Sequence, residues 1–188
     1  MMLLVGLGNP GKRYAETRHN VGWAVIDRTV GHAPWREKFS GLFAEFELEG
    51  QKAYALKPQT YMNESGRSVA AATAFYKIEP RDVLVLHDEL DLPFGTVRVK
   101  VGGGEAGHNG LRSVSQHLGT KDYARIRIGV GKPPPGFHGD GADFVLQAFS
   151  PAERAQLDDI VERAREAVGL VVGRGLEYAM NVMNRRAG

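Results

Sequence analysis

The chain has 188 residues, 43% hydrophobic and 24% charged, with a formal net charge of +2, a length that fits one domain with its own core. It contains no cysteine, which excludes disulfides, thiolate metal sites, cysteine nucleophiles and iron–sulfur clusters. No apolar run approaches the roughly 20 residues of a membrane span, and the opening Met-Met-Leu-Leu-Val-Gly is too short for a signal sequence, so a soluble cytoplasmic protein is expected.

Residues 2–8 are a short apolar run ending in glycine and read as a buried strand. Residues 20–30 carry Val21, Trp23, Ala24, Val25 and Ile26 at helical spacing. Alternation over 42–48, with Leu42, Ala44, Phe46 and Leu48 on one face, leads through Glu49-Gly50 into 53–57, a hairpin pattern. Residues 64–76 are alanine-rich and helical, with Asn63 or Ser65 as the expected cap. An apolar strand over 83–87 stops at Asp88-Glu89, and 96–101 alternates again. A helix over 110–118 and a strand over 124–130 follow, the strand with Ile126, Ile128 and Val130 inward.

The three prolines and the glycines of 132–141 predict a loop. Pro151 suits the first turn of a helix that runs to about 168, and a weaker helix is expected near 176–183. Strands alternating with helices, with one hairpin inserted, predict a single α/β domain over 1–188. Its sheet is mixed and twisted, with helices on both faces.

Charge is uneven along the chain. Between residues 95 and 135 stand seven basic residues, Arg98, Lys100, Arg112, Lys121, Arg125, Arg127 and Lys132, against Glu105 and Asp122. All other residues together are net acidic, with 17 basic against 20 acidic groups. A basic segment on a nearly neutral protein can steer a polyanion to one face.

Gly6-Leu7-Gly8-Asn9-Pro10-Gly11 matches a dinucleotide fingerprint letter for letter. That motif needs its last glycine to open a helix under a pyrophosphate. Here it opens into the polar stretch 12–19, and the acidic residue about 20 positions on is Asp27, inside a helix. Nucleotide binding is therefore not expected. What remains is a tight turn presenting Asn9 at the carboxyl end of a strand, the edge where open α/β sheets bind ligands.

Asn9, His19, Asn63, Asp88 and Asn109 all fall at expected strand ends or in loops. Singly, each has an ordinary role as turn or cap. Together they carry a resemblance. Gly6 to Tyr14 with Thr17-Arg18-His19-Asn20, Lys57-Pro58-Gln59-Thr60-Tyr61-Met62-Asn63 with Ser65-Gly66, His87-Asp88-Glu89-Leu90-Asp91-Leu92-Pro93 with Gly95, and Gly102-Gly103-Gly104 through Gly107-His108-Asn109-Gly110-Leu111 follow the order of the motifs of bacterial-type peptidyl-tRNA hydrolase. The strand from Arg125 to Gly131 fits as well. The chain resembles that family over the whole domain, with Tyr61 where relatives often carry Phe.

The resemblance implies hydrolysis of the ester joining a peptide to tRNA, with no cofactor and no metal. It implies His19 as the base that activates water, Asp88 as the partner of its other ring nitrogen, and Asn9 as a third catalytic group. Asn63 and Asn109 would hold the substrate, with Met62, Tyr14 and Tyr61 giving an apolar floor and stacking rings. Lys100 and Arg127 would grip a terminal phosphate of the tRNA, flanked by Arg98 and Arg125. His87 and His108 would orient or line the cluster. The resemblance also suggests a monomer, with the C-terminal helical region, about 151–188, as a candidate lid.

Two other readings predict different sequences. An RNA-binding relative without activity predicts damage in the polar set, yet all five residues are present. A metallopeptidase predicts a spaced ligand motif such as H-E-x-x-H, and none occurs.

Overall fold

The computed structural model describes residues 1–185; 186–188, the end of the expected domain, lie outside the described residues. Among the described residues seven strands form one sheet in the order β2-β3-β4-β1-β5-β7-β6. They are β1 (Leu3–Gly6), β2 (Arg36–Lys38), β3 (Gly41–Leu48), β4 (Gln51–Pro58), β5 (Val83–Glu89), β6 (Val97–Val101) and β7 (Ala124–Gly129). The central strands β4, β1, β5 and β7 run parallel, while β2, β3 and β6 join antiparallel at the edges. The sheet is mixed, as the alternation of elements implied.

Among the described residues six helices cover it: α1 (Val21–Val30), α2 (Ser65–Tyr76), α3 (Asn109–Leu118), α4 (Gly141–Val145), α5 (Pro151–Arg174) and α6 (Leu176–Met183). Side chains of a strand alternate between faces, so β5 feeds two cores. Leu84 and Leu86 pack with Val25, Ile26, Ala164 and Val168 of α1 and α5. Val83 and Val85 pack with Val69, Leu111 and Val114 of α2 and α3. Burying each such aliphatic side chain stabilises the fold by about 1.5–3 kcal/mol before entropy is counted.

The hairpin of β3 and β4 pairs Leu48 with Gln51, and Glu49 and Gly50 turn at φ 52° and 73°, the left-handed pair that a two-residue hairpin requires. The expected side-chain cap of α2 is not made. Ser65 Oγ instead donates to the Met62 carbonyl at 2.7 Å, because a 3-10 turn over Met62–Glu64 runs directly into the helix. At α5 the expected start is built as a capping box between Ser150 and Glu153 around Pro151.

That helix runs to Arg174 rather than stopping near 168. It continues through Gly169 and Gly173, which face Glu49 of the hairpin, where a side chain would be crowded. Residues 160–172 of α5 supply buried core. Asn184, just beyond α6, exchanges two 2.9 Å hydrogen bonds with the Val99 backbone. The C-terminal helices are packed parts of the domain.

Candidate active site

Parallel β1, β4 and β5 end on the same edge of the sheet, and the polar set collects there. The chain leaving β1 brings Asn9, the turn after β4 brings Met62 and Asn63, and β5 ends in Asp88 and Glu89. A 3-10 turn over Arg18–Asn20 leads into α1 and carries His19. Gly22 lets that helix approach closely, since a Cβ there would collide with the Leu86 carbonyl. His108 caps α3, and Asn109 is the first helical residue rather than a loop residue.

These residues line a cleft of about 280 Å³ that includes Asn9, His19, Met62, Asn63, Asp88 and Asn109. Another wall is α4 and the residue that follows it, through Ala142, Val145 and Leu146. Arg18 ties that wall to the turn bearing His19. Its guanidinium lies 3.9 Å over the Phe144 ring, donates to the Phe144 carbonyl at 3.3 Å and pairs with Glu153 at 2.7 Å.

Asp88 is buried between two imidazoles. His19 Nδ1 donates to Oδ2 at 2.8 Å, and His108 Nε2 donates to Oδ1 at 2.8 Å. The tautomer of His108 follows from its other nitrogen, which accepts the Gly110 and Leu111 N–H groups at 3.1 and 3.3 Å. The tautomer of His19 follows from Asp88, and leaves Nε2 with a lone pair. Burial opposes charging of His19, but the Asp88 charge and hydrogen bond outweigh it and raise its pKa above the ordinary value. Burial likewise opposes the Asp88 charge, yet the two imidazoles hold its carboxyl far below the usual carboxylate range. Beneath them, His87 is fully buried with Nδ1 donating to the Asp88 carbonyl at 2.8 Å. Burial, followed by nearby His108, lowers its pKa to about 3.

Asn9 is held on three sides. Its Oδ1 accepts the Met62 N–H at 2.7 Å. Its backbone N–H and carbonyl both bond the Asn20 amide at 2.9 Å. The Asn9 side chain therefore has its oxygen occupied and its Nδ2 left for a ligand. Asn63 and Asn109 are exposed on the cleft rim, and Tyr61, 62% exposed, stands beside them. Tyr14 does not join the cleft. The turn after Gly11 carries it away, and the Arg13 guanidinium lies 5.4 Å over its ring.

The basic residues lie on β6 and β7, toward the far edge of the sheet. Arg98 is paired in register with Arg127, and Lys100 with Arg125, so all four share one face. Arg125 departs from its expected place beside a phosphate. It is 1% exposed and donates to the Gly103, Gly104 and Lys121 carbonyls at 2.7–3.2 Å, so its charge organises the glycine loop. Lys100 extends over Gly103, where a Cβ would strike its Nζ. Arg127 Nε is held by the Glu89 carboxylate at 3.1 Å, and Glu89 itself lines the cleft.

His19, Asp88 and His108 are the one group among the described residues with metal-ligand spacing. Both Asp88 oxygens already accept imidazole N–H groups, so a cation would have to displace a hydrogen bond.

An imidazole backed by a buried carboxylate, in a cleft also lined by the amides of Asn9, Asn63 and Asn109, defines a hydrolase-type site in which water can be activated beside a carbonyl. The sequence model for "Peptidyl-tRNA hydrolase" matches residues 3–188. A peptidyl-tRNA hydrolase of Sorangium cellulosum is 59% identical, covering 99% of this chain and 85% of that protein. One of Anaeromyxobacter dehalogenans is 50% identical over 100% and 98%. The crystal structure of peptidyl-tRNA hydrolase from Acinetobacter baumannii superposes with a TM-score of 0.89 at 38% identity, covering 98% of this chain and 95% of that one. The chain belongs to the peptidyl-tRNA hydrolase family.

Proposed function

We propose that this protein hydrolyses the ester between the peptide and the ribose of peptidyl-tRNA, with water activated by His19 and no metal or cofactor. The observation that carries the reading is the 2.8 Å hydrogen bond from His19 Nδ1 to buried Asp88, in a cleft lined by Asn9, Asn63 and Asn109 in a member of this family.

In this reading His19 Nε2 takes a proton from water as the oxygen attacks the ester carbonyl. Asp88 stabilises the imidazolium and fixes its ring, as a triad aspartate does. The Asn9 Nδ2 donates to the acyl oxygen as its negative charge develops. The tetrahedral intermediate then expels the ribose oxygen, which receives the proton from His19. General-base catalysis of this kind contributes about 10²–10⁴-fold.

Asn63 holds the peptide end, and Asn109 the ribose or the attacking water. Met62 forms the apolar floor and Tyr61 a contact ring, while Tyr14 is left to meet the tRNA outside the cleft. Lys100 and Arg127 bind a terminal phosphate of the tRNA. Neutral amides suit an N-blocked peptide, because a free ammonium would lose its hydration without an acceptor that compensates.

No helix among the described residues is long and apolar enough to cross a membrane. We read the protein as a cytoplasmic monomer acting as one domain. The test is release of N-acetyl-amino acid from N-acetyl-aminoacyl-tRNA beside unblocked aminoacyl-tRNA. The reading expects rapid cleavage of the blocked substrate and little of the other. Equal cleavage of both, or of neither, contradicts it.

A further inference from the structure

The loop over residues 102–107, between β6 and His108, is a wall with two sides. Ala106 and Gly107 line the cleft, while Lys100 Nζ lies beside Gly103. The loop ends at His108, whose Nε2 donates to Asp88 at 2.8 Å.

Little within the loop fixes its shape. Gly102, Gly103, Ala106 and Gly107 all occupy the left-handed region, at φ 68°, 93°, 49° and 77°. Residues in that state extend neither a helix nor a strand, and the state is uncommon for a residue that carries a Cβ, as Ala106 does.

The shape is set by Arg125 on β7. Its Nη1 donates to the Gly104 carbonyl at 2.7 Å, and its Nη2 to the Gly103 and Lys121 carbonyls at 3.1 and 3.2 Å. The guanidinium lies 4.6 Å from the centre of the Tyr123 ring, and Tyr123 Oη donates to the Leu111 carbonyl of α3 at 3.2 Å. Beyond this anchor, the Glu105 carbonyl accepts the His108 N–H at 2.9 Å. The Glu105 carboxylate accepts from Ser115 Oγ at 3.4 Å and pairs with Lys121 at 3.4 Å. Arg125 is thus joined through Gly104 and Glu105 to the imidazole that holds one oxygen of Asp88.

The chemistry of the side chain matters here. A planar guanidinium fork can hold several carbonyls at fixed angles, whereas an ammonium is a point charge on a flexible stem. Burial also decides what Arg125 leaves undone. With both Nη groups engaged by carbonyls, it has no place in the electrostatic grip on a phosphate that makes RNA binding salt-dependent.

We propose that Arg125 is a positioning residue for the reaction, holding the 102–107 loop so that His108 stays aimed at Asp88. It acts on turnover and leaves the grip on the RNA unchanged. The inference rests on the hydrolase reading above.

The test measures kcat, KM and the slope of log KM against log salt on N-acetyl-aminoacyl-tRNA. Arg125→Lys keeps the charge and loses the fork, and a fall of about tenfold in kcat is expected, the size of one charged hydrogen bond. KM should stay within about twofold and the salt slope should not change, because no phosphate contact is lost. In a His108→Ala background the same substitution should cost at most about threefold, since the residue it acts through is gone. Glu105→Ala loosens the same loop without touching Arg125, and should lower kcat by about threefold at an unchanged salt slope. That variant keeps the test decisive if Arg125→Lys does not fold.

A raised KM with a salt slope smaller by about one contact would place Arg125 on a phosphate. An unchanged kcat with a lowered Tm would make it a brace of the fold alone. Equal losses with and without His108 would route its effect elsewhere. Each of these results overturns the proposal, as does an unchanged kcat in Glu105→Ala where Arg125→Lys does not fold. Failure of the wild type to cleave the substrate would instead overturn the hydrolase reading itself.

Discussion

Asp88 Oδ2 accepts the Nδ1 proton of His19 at 2.8 Å, and this bond fixes both the ring and its tautomer. The remaining nitrogen of His19 can act as a base only because Asp88, buried at 3% exposure, stays ionised between two imidazole donors.

Asp88→Asn should therefore act on rate and on pH together. Losing the carboxylate leaves the His19 tautomer unspecified, and a loss of about 10²–10⁴ in kcat is expected. The Asp88 charge is also what raises the His19 pKa. The wild-type acid limb of kcat/KM should lie above the ordinary 6.5 of histidine, because activity needs the neutral ring. In the variant that limb should move to lower pH. A pH–rate profile checks both, and an unmoved limb would separate Asp88 from His19.

His108→Ala should be partly structural. Its Nδ1 accepts two N–H groups at the start of α3, a cap whose loss costs about 1 kcal/mol and lowers Tm by roughly 2–4 °C. Asp88 keeps its His19 partner, so kcat should fall less than in Asp88→Asn. Thermal melts beside initial rates decide this.

Arg127→Ala is expected to raise KM more than it lowers kcat. It should also reduce the slope of log KM against log salt by about one phosphate contact. Glu89→Gln should give a weaker change of the same kind, because the carboxylate aims the guanidinium at 3.1 Å. A salt titration of both variants is the check, and an unchanged slope in Arg127→Ala would remove it from the phosphate site.

Acid stability should carry the signature of His87. Its native pKa is lowered to about 3, so below about pH 6.5 the unfolded chain binds a proton that the native state refuses. Stability then falls by up to about 1.4 kcal/mol per pH unit until about pH 3. His19 works in the opposite sense, since its raised pKa adds stability below 6.5 that is lost as pH rises through its native pKa. His87→Asn should shrink the fall in urea midpoint between pH 7 and pH 4. An equal fall in both proteins would contradict the assignment.

Much of the fold is legible in the sequence because the central strands are apolar runs and the helices have apolar faces. β2 is not, since Arg36-Glu37-Lys38 is polar and exists as a strand only through pairing with β3. α4 is hidden by its five-residue length among glycines. Seven of the expected site residues, Asn9, His19, Tyr61, Met62, Asn63, Asp88 and Asn109, meet in one cleft, and they lie in turns or at ends of elements, where short motifs are informative.

The supports of the site were not legible. Asn20 grips Asn9 from 11 residues away, and Glu89 reaches Arg127 on the neighbouring strand, 38 residues on in the chain. The Asn20 signal was present as the residue after His19 in the same short motif. Arg125 shows the limit of alternation, which gives the face of a strand but not the loop that folds over it.

The most direct measurement of the central claim is release of N-acetyl-amino acid from N-acetyl-aminoacyl-tRNA by wild type and His19→Ala, with chelator present and tRNA binding followed in parallel. The account predicts chelator-insensitive release that vanishes in His19→Ala while tRNA affinity persists. Release that survives the substitution, or that chelation abolishes in the wild type, would contradict a metal-free site built on His19.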